Sequence, residues 1–222
     1  MKLVRFGKEG REKPGIIDSE GILRDLSTKV KDIDGKTISS NSLKLIQRVN
    51  LKKLSIVKGK PRIGVPVANI GKIVCIGLNY VDHAKEVGSP LPKEPIMFLK
   101  PTSSLTGPFD NVMLPKGLLL KGKGPGKVIE SKRSDWEVEL GIVIGDKAKC
   151  VSETKAMQYI AGYTIVNDVS ERAYQLDAAA GQWTRGKGCD TFCPVGPYLV
   201  TREEINRPQN LSIWLELNGK KM

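Results

Sequence analysis

Aromatic residues are scarce in this sequence: phenylalanine, tryptophan and tyrosine together supply 5% of it. The scarcity matters because the chain is basic, with 36 lysines and arginines against 24 acids and a formal net charge of +12. Such an excess invites a nucleic-acid reading. The lysines are scattered, however, and no recognition helix, zinc finger or stacking motif accompanies them. The charge therefore reads as a solvated lysine-rich surface, and no nucleic-acid partner is expected. Long apolar runs are also missing; none approaches the roughly 20 residues that span a bilayer, so no membrane partner is expected. The N-terminus, MKLVRFGKEG, lacks the apolar segment of a secretory signal, and the expected location is the cytoplasm. Cysteine is sparse. Of Cys75, Cys150, Cys189 and Cys193, only the last two are close, and their spacing is not that of a CxxC pair. A zinc or redox centre is thus disfavoured, and four separate reduced thiols are expected.

What is present fits a soluble globular protein. The 222 residues are 40% hydrophobic and 27% charged, enough for one sizeable core with a small appended domain. Residues 1–65 read as a small β-rich N-terminal domain. KLVRFG alternates like a half-buried strand. KPGIIDSEGILRDLS predicts two short strands around a turn at Asp18–Gly21, and SSNSLKLIQRV predicts a capped helix. KGKPRIGVPVANIGK resembles a linker. A second unit, 72–222, then carries the strands KIVCIGLNY, EPIMFLKP, EVELGIVIG, YTIVNDVS, VGPYLVT and LSIWLELNG. The helices VDHAKEVG and SETKAMQYIAG lie among them.

The stretch SDWEVELGIVIG, residues 134–145, reads as a strand that contains two acids. Side chains alternate along a strand, so Glu137 and Glu139 share one face while Trp136, Val138 and Leu140 take the other. Two neighbouring carboxylates withdrawn from water repel, and one must bind a proton unless a cation intervenes. Hard oxygen ligands suit Mg2+, Mn2+ or Ca2+ better than zinc. An edge strand with a solvated acidic face explains the same pattern. Asp168 ends the strand YTIVND, where it can point into a cleft as a third carboxylate; an Asx turn or a helix N-cap is the alternative. His83, the single histidine, has Glu86 one helical turn away. A carboxylate that orients a neutral imidazole improves a general base, although a surface histidine with an incidental partner has the same spacing. Lys187, among the glycines of TRGKGCDTF, could offset an oxyanion or transfer a proton. Arg172 and Gln175 share a helical face and could clamp a substrate carboxylate. Solvent exposure is the alternative for these three.

Six segments taken in order resemble the fumarylacetoacetate hydrolase family: IGLNYVDHAKE, PKEPIMFLKPTSS, DWEVELGIVIG, AGYTIVNDVSERAYQ, GKGCDTFCPVGPYLVT and PQNLSIWLELNGKKM. The resemblance runs from about Lys72 to the C-terminus. Within the family it is nearest to bacterial enzymes called 2,4-diketo-3-deoxy-L-rhamnonate hydrolase or ureidoglycolate lyase. It implies an α+β, β-rich fold, in which a mixed β-sheet rolls into a barrel-like sandwich beside a small N-terminal β domain. It implies a homodimer with Mg2+ or Mn2+ in the site, Ca2+ being a substitute. The implied activity is metal-dependent hydrolysis of a C–C bond in a 2,4-diketo, acylpyruvate-type sugar acid. A lyase or decarboxylase acting on ureidoglycolate or oxaloacetate is the alternative on the same scaffold. By the resemblance, Glu137, Glu139 and Asp168 are the metal ligands. His83 with Glu86 is the lid dyad that activates water, and Lys187 is the site lysine. Arg172 and Gln175 hold the carboxylate of a small-molecule keto acid.

Two features depart from the family pattern. Residues 118–130 are expected to form an inserted loop immediately before the Glu137 strand. A longer loop costs little entropy, but a one-residue slip would turn both acids to the wrong face. The chain also stops at Met222, just after the turn in LELNGKK. It is expected to lack further strands and a Thr-Gly-Thr-Pro loop, and to supply no strand returning from that turn, which would leave an open sheet edge. An inactive truncated family remnant, with weak or absent turnover, is therefore a further alternative to the hydrolase.

Overall fold

The computed structural model describes residues 1–117, 129–130, 133–177 and 181–222. The expected insertion therefore lies outside the described residues, except for Ile129 and Glu130 at its end.

The chain opens with β1 (Lys2–Phe6), β2 (Lys13–Ile17) and β3 (Leu23–Asp25), paired antiparallel in that order. Asp18 builds the β2–β3 turn: its Oδ1 accepts from the backbone N–H groups of Glu20 and Ile22, at 3.0 and 2.9 Å. Helix α1 (Ser40–Gln47) starts at Ser39, whose side chain accepts from the Ser42 N–H. Leu43 and Ile46, three residues apart, are its buried face. The stretch that reads as a linker is bound to β1 and to the segment between β3 and α1. Gly64 N–H donates to the Arg5 carbonyl at 2.8 Å, and Ala68 N–H to that of Ile33 at 2.7 Å.

Next come β4 (Ile73–Gly77), α2 (Val81–Glu86), β5 (Ile96–Lys100) and β6 (Leu105–Thr106). The short strands β7 (Lys116–Gly117) and β8 (Ile129–Glu130) pair with each other. They precede β9 (Ser134–Asp135) and β10 (Val138–Ile144). Helix α3 (Glu153–Ala156) is shorter than SETKAMQYIAG suggests. It tightens into a 3-10 turn at Met157–Tyr159, because Ile160 already pairs with Ile144 in the sheet. β11 (Ile160–Asn167) and β12 (Ser170–Glu171) lead into a π-helical turn at Ala173–Asp177. α4 (Trp183–Lys187) and β13 (Cys193–Thr201) follow.

The main sheet has seven strands in the order β10-β11-β13-β1-β2-β3, with β6 parallel to β13. Lys2 pairs with Val200 and Leu3 with Leu199. The N-terminal strands thus extend the same sheet that holds the acidic strand β10. Leu3, Ile16, Leu43 and Ile46 share a buried cluster with Ala161 and Leu199. Among the described residues the strands form this sheet and four two-stranded ones, not a closed barrel.

The chain ends in a hairpin of β14 (Glu216–Leu217) and β15 (Lys220–Lys221). Its turn residues, Asn218 and Gly219, have φ of 51° and 80°, the positive pair that a two-residue hairpin requires. This corrects the expectation that no strand returns after LELNG. Two residues beyond the glycine are enough to make one.

No helix among the described residues is long and apolar enough to cross a membrane. All four cysteines are free. Burial pushes the Cys75 thiol up to about 12 and that of Cys193 up to about 11, so both stay protonated and unreactive at neutral pH.

Candidate active site

The pairing of β10 with β11 brings the acids together. Glu139 lies opposite Val166 and Leu140 opposite Ile165. One step further, the Asp168 N–H donates to the Glu137 carbonyl at 2.8 Å, so these two residues face each other across the strand pair. Glu137, Glu139 and Asp168 therefore share one face of the sheet. Gly141 continues that face. A Cβ there would come within 2.8 Å of the methyl groups of Thr164 and Val166, so the floor beside the acids is closely packed.

Helix α4 delivers Lys187 to this face. It can lie against the π-helical turn because residue 186 is glycine; a Cβ there would stand 2.6 Å from the Gln175 nitrogen. The Lys187 side chain is 2% exposed. Its Nζ donates to Glu137 Oε2 at 2.7 Å, Asp168 Oδ2 at 2.9 Å and Ser170 Oγ at 2.8 Å. It also stands 5.2 Å from the centre of the Phe98 ring.

Lys100 was not anticipated. Its side chain is 0% exposed, and its Nζ donates to Asp168 Oδ1 at 2.6 Å, to the Val169 carbonyl at 3.2 Å and to the carbonyl of Lys187. The sequence carries one signal for it. In IMFLK, Lys100 is in phase with Ile96 and Phe98, the more buried members of an alternating strand.

Arg172 and Gln175 meet, as their spacing predicts: Arg172 Nη1 donates to Gln175 Oε1 at 2.9 Å. The guanidinium is engaged by carboxylates as well. Nη1 lies 2.7 Å from Glu137 Oε1, and Nη2 lies 2.8 Å from Asp135 Oδ2. Asp135 and the buried Glu171 were also unforeseen. Glu171 accepts from Ser134 Oγ at 2.8 Å and from the Ala173 N–H at 3.1 Å, which fastens β9 to β12.

Glu139 stands apart electrostatically. It is held by the hydroxyl of Tyr80, whereas Glu137 and Asp168 are held by ammonium and guanidinium groups. Burial pushes its carboxyl up to about 7. The charges of Glu137 and Asp168 push the same way, while Tyr80 and Lys187 oppose them. Tyr80 immediately precedes α2, and its hydroxyl also accepts from the Leu140 N–H at 3.4 Å. His83 and Glu86 lie on that helix with Nδ1 and Oε2 3.4 Å apart, but their side chains are 43% and 79% exposed. The structure thus gathers six of the eight anticipated residues into one network. The other two form a surface pair, tied to the network through Tyr80.

Among the described residues, no group of three or more acidic, histidine or cysteine side chains converges tightly enough, as arranged, to hold a metal ion. The Lys187 ammonium stands between Glu137 and Asp168 and satisfies the oxygens that a dication would otherwise bind. The donor chemistry still suits a hard cation. Three carboxylates occupy one face, and burial together with the neighbouring acids raises the Glu139 carboxyl.

Comparison with known proteins shows the family. Residues 72–222 match the family model described as fumarylacetoacetate (FAA) hydrolase C-terminal. A Burkholderia orbicola (strain MC0-3) protein, provisionally named a hydrolase, is 50% identical over 221 residues, which are 100% of this chain and 73% of that protein. The fumarylacetoacetate hydrolase of the psychrophile Exiguobacterium antarcticum shares the fold with a TM-score of 0.75 at 28% identity, over 100% of this chain and 73% of that one. A 5-carboxymethyl-2-hydroxymuconate delta-isomerase from Mycobacterium smegmatis does so with a TM-score of 0.67 at 29% identity and the same coverage. This chain therefore spans 73% of the length of each of these proteins. The family match takes in the whole acidic face and both buried lysines, and on that ground the chain belongs to the fumarylacetoacetate hydrolase family.

Proposed function

We propose that the chain is a metal-dependent hydrolase that cleaves a C–C bond in 2,4-diketo acids of the acylpyruvate type, with a sugar acid as its substrate. One observation carries the reading. Lys187 bridges Glu137 and Asp168 in a buried cluster, and Glu139 on the same face is bonded by the Tyr80 hydroxyl rather than by a cation. Glu137, Glu139 and Asp168 would hold Mg2+ or Mn2+, with Ca2+ as a substitute. Such an ion, when bound, supplies Lewis-acid polarisation of an oxo-acid oxygen.

The remaining work falls to the chain's own side chains. Arg172 and Gln175, already joined, bind the substrate carboxylate. The Glu86 carboxylate beside Nδ1 favours the tautomer with the proton on that nitrogen, which leaves Nε2 of His83 free to take a proton from water. The water oxygen bonds to the C4 carbonyl carbon, the C3–C4 bond breaks, and its electron pair passes into the enolate of the 2-oxo acid. Lys187 offsets that negative charge and directs a proton to C3. His83 stands exposed on α2, so the proton transfer requires this helix to close over the site from its anchor at Tyr80. A homodimer in the cytoplasm is part of the same proposal, and sedimentation velocity measures the assembly.

The test is product analysis with 2,4-dioxopentanoate and Mn2+. One pyruvate and one acetate per substrate consumed supports hydrolysis. A decarboxylase acting on oxaloacetate, or a lyase acting on ureidoglycolate, would release its products without adding water. The likeness to an isomerase favours a second reading on the same site, in which a dienol acid changes its ultraviolet spectrum without fragmenting. Mn2+ should also raise the melting temperature, and Glu139→Ala should abolish the rise. A metal response without turnover would identify an inactive remnant. The absence of both refutes the reading.

A further inference from the structure

Asp168 is held by two buried ammonium groups. Lys187 grips Oδ2 at 2.9 Å and Lys100 grips Oδ1 at 2.6 Å. Both ammonium groups count in the charge balance, since Lys100, Lys187 and Arg172 face four carboxylates, those of Asp135, Glu137, Glu139 and Asp168. Glu137, the other acid that Lys187 touches, has Arg172 at 2.7 Å. Lys100 also does something that a counter-charge need not do. Its two further donors go to main-chain carbonyls, those of Val169 and of Lys187 itself. An ammonium has three N–H donors, and here all three are spent on groups that carry or adjoin the site.

We propose that Lys100 is a positioning residue: from the end of β5 its buried ammonium fixes the rotation of the Asp168 carboxylate and anchors the backbone from which Lys187 projects. The proposal deepens the functional reading above, because it rests on Asp168 and Lys187 being groups of the active site. The physical case is geometric. A carboxylate held at one oxygen can still swing about its χ2 torsion, which is broad and shallow. Held at both oxygens from different elements, it cannot. The Lys187 carbonyl lies at the end of α4, where helix carbonyls lack an intrahelical donor. Lys100 supplies one, so the origin of the Lys187 side chain and the orientation of its partner Asp168 are set by the same group.

The test uses the full chain with and without metal. In EDTA, brief acetylation with acetic anhydride, read by peptide mass spectrometry, reports how well Lys187 is shielded. Lys100→Met keeps the stem and removes the donors. It should raise Lys187 labelling at least tenfold relative to Lys2, with the far-ultraviolet circular dichroism unchanged. In a Mn2+ titration followed by electron paramagnetic resonance, the same variant should bind the ion at least tenfold more weakly. The sign is decisive, because deleting a positive charge beside Asp168 should by Coulomb's law strengthen cation binding. Unchanged or tighter Mn2+ binding by the variant, where the wild type binds, overturns the proposal. So does Lys187 shielding equal to that of the wild type. A wild type that binds no Mn2+ overturns the metal reading instead, and the shielding measurement then decides the role of Lys100. If Lys100→Met fails to fold, Lys100→Gln, which keeps N–H donors on a shorter stem, faces the same two criteria.

Discussion

Replacing Lys187 with methionine is the sharpest perturbation that the structure offers. The stem keeps nearly its length, so little packing is lost, although the approach of the ammonium to the Phe98 ring goes with the charge. What disappears is an ammonium that donates to Glu137 Oε2, Asp168 Oδ2 and Ser170 Oγ. The two carboxylate side chains are only 20% and 6% exposed, so water cannot readily take its place. Breaking a buried ion pair by removing one partner costs about 3–5 kcal/mol, since buried charge is left under-compensated; here four carboxylates would face two cations, Arg172 and Lys100. In a domain of this size each kcal/mol shifts the melting point by roughly 2–4 °C, so Lys187→Met should lower it by about 6–20 °C. Thermal and urea unfolding in EDTA, followed by circular dichroism, would measure the loss. The exposed Lys44→Met serves as a control, with an expected change within about 0.5 kcal/mol. Adding Glu137→Gln to Lys187→Met should cost less than the sum of the single changes, because the charge left under-compensated by one is removed by the other. A Lys187→Met loss below about 1 kcal/mol, or strict additivity in the double variant, would show that the ammonium is not the counter-charge of this cluster.

Three further outcomes are expected. Glu139 has a folded-state value of about 7 against an ordinary 4.5, so folding favours its protonated form. Its contribution to stability is fully present below about pH 4.5 and is lost as the pH rises towards 7; in metal-free urea titrations Glu139→Gln should flatten that slope, and an unchanged slope rejects the assignment. At Asp110 the hydrogen bond from Arg62 holds the carboxyl below its usual range. That stability is present above pH 3.8 and is lost as the pH falls through the folded-state value, so Asp110→Asn should cost about 1 kcal/mol near pH 7 and weaken the acid dependence below pH 4. Gly162→Ala would press a Cβ into the Val200 carbonyl and within 2.9 Å of Thr201 Cα, both backbone; it should destabilise by about 1–3 kcal/mol in urea unfolding, and a neutral result would mean that β11 and β13 are farther apart than described.

The parts of this molecule that obey local rules were legible. Alternation in KLVRF and EVELGIVI marked β1 and β10, the face shared by Glu137 and Glu139 followed from that period, and Ser39 with Leu43 and Ile46 gave α1. What escaped depends on partners distant in the chain. Residues 58–72 have the composition of a linker, yet their backbone donates to Arg5 and Ile33, which composition cannot reveal. Lys100 looks like an ordinary lysine before a proline until Asp168 and Lys187 close around it from 68 and 87 residues away. Pattern reading also expected a ring of acids in want of a cation. It could not show that the chain places its own ammonium between two of them, because no spacing rule relates β10 to α4.

The position of these charges explains why the site should respond as a unit. Among the described residues the buried apolar cluster gathers around β1, β2 and α1, and takes Ala161 and Leu199 from the half that carries the acids, with the partly buried Val143 packed against it. On the other side three pieces meet: the β4–β5 pair, the β10–β11 edge, and the described residues between Ser170 and Lys187. An aromatic contact, Phe98 against Trp183 at 5.6 Å, joins the first to the third. The rest of the joint described above is largely ionic, with Lys100 reaching from β5, Lys187 from α4 and Arg172 from beside β12. Non-directional apolar contacts would let these pieces slide at little cost. Charge-assisted hydrogen bonds do not, since each fixes a distance and an angle. A dication attracted to Glu137 and Asp168 must therefore compete with Lys187, and whatever moves Lys187 also changes how α4 sits against the sheet edge. Chemistry and cohesion use the same few side chains here, so a change of charge at the site is also a change in how its three walls are held together.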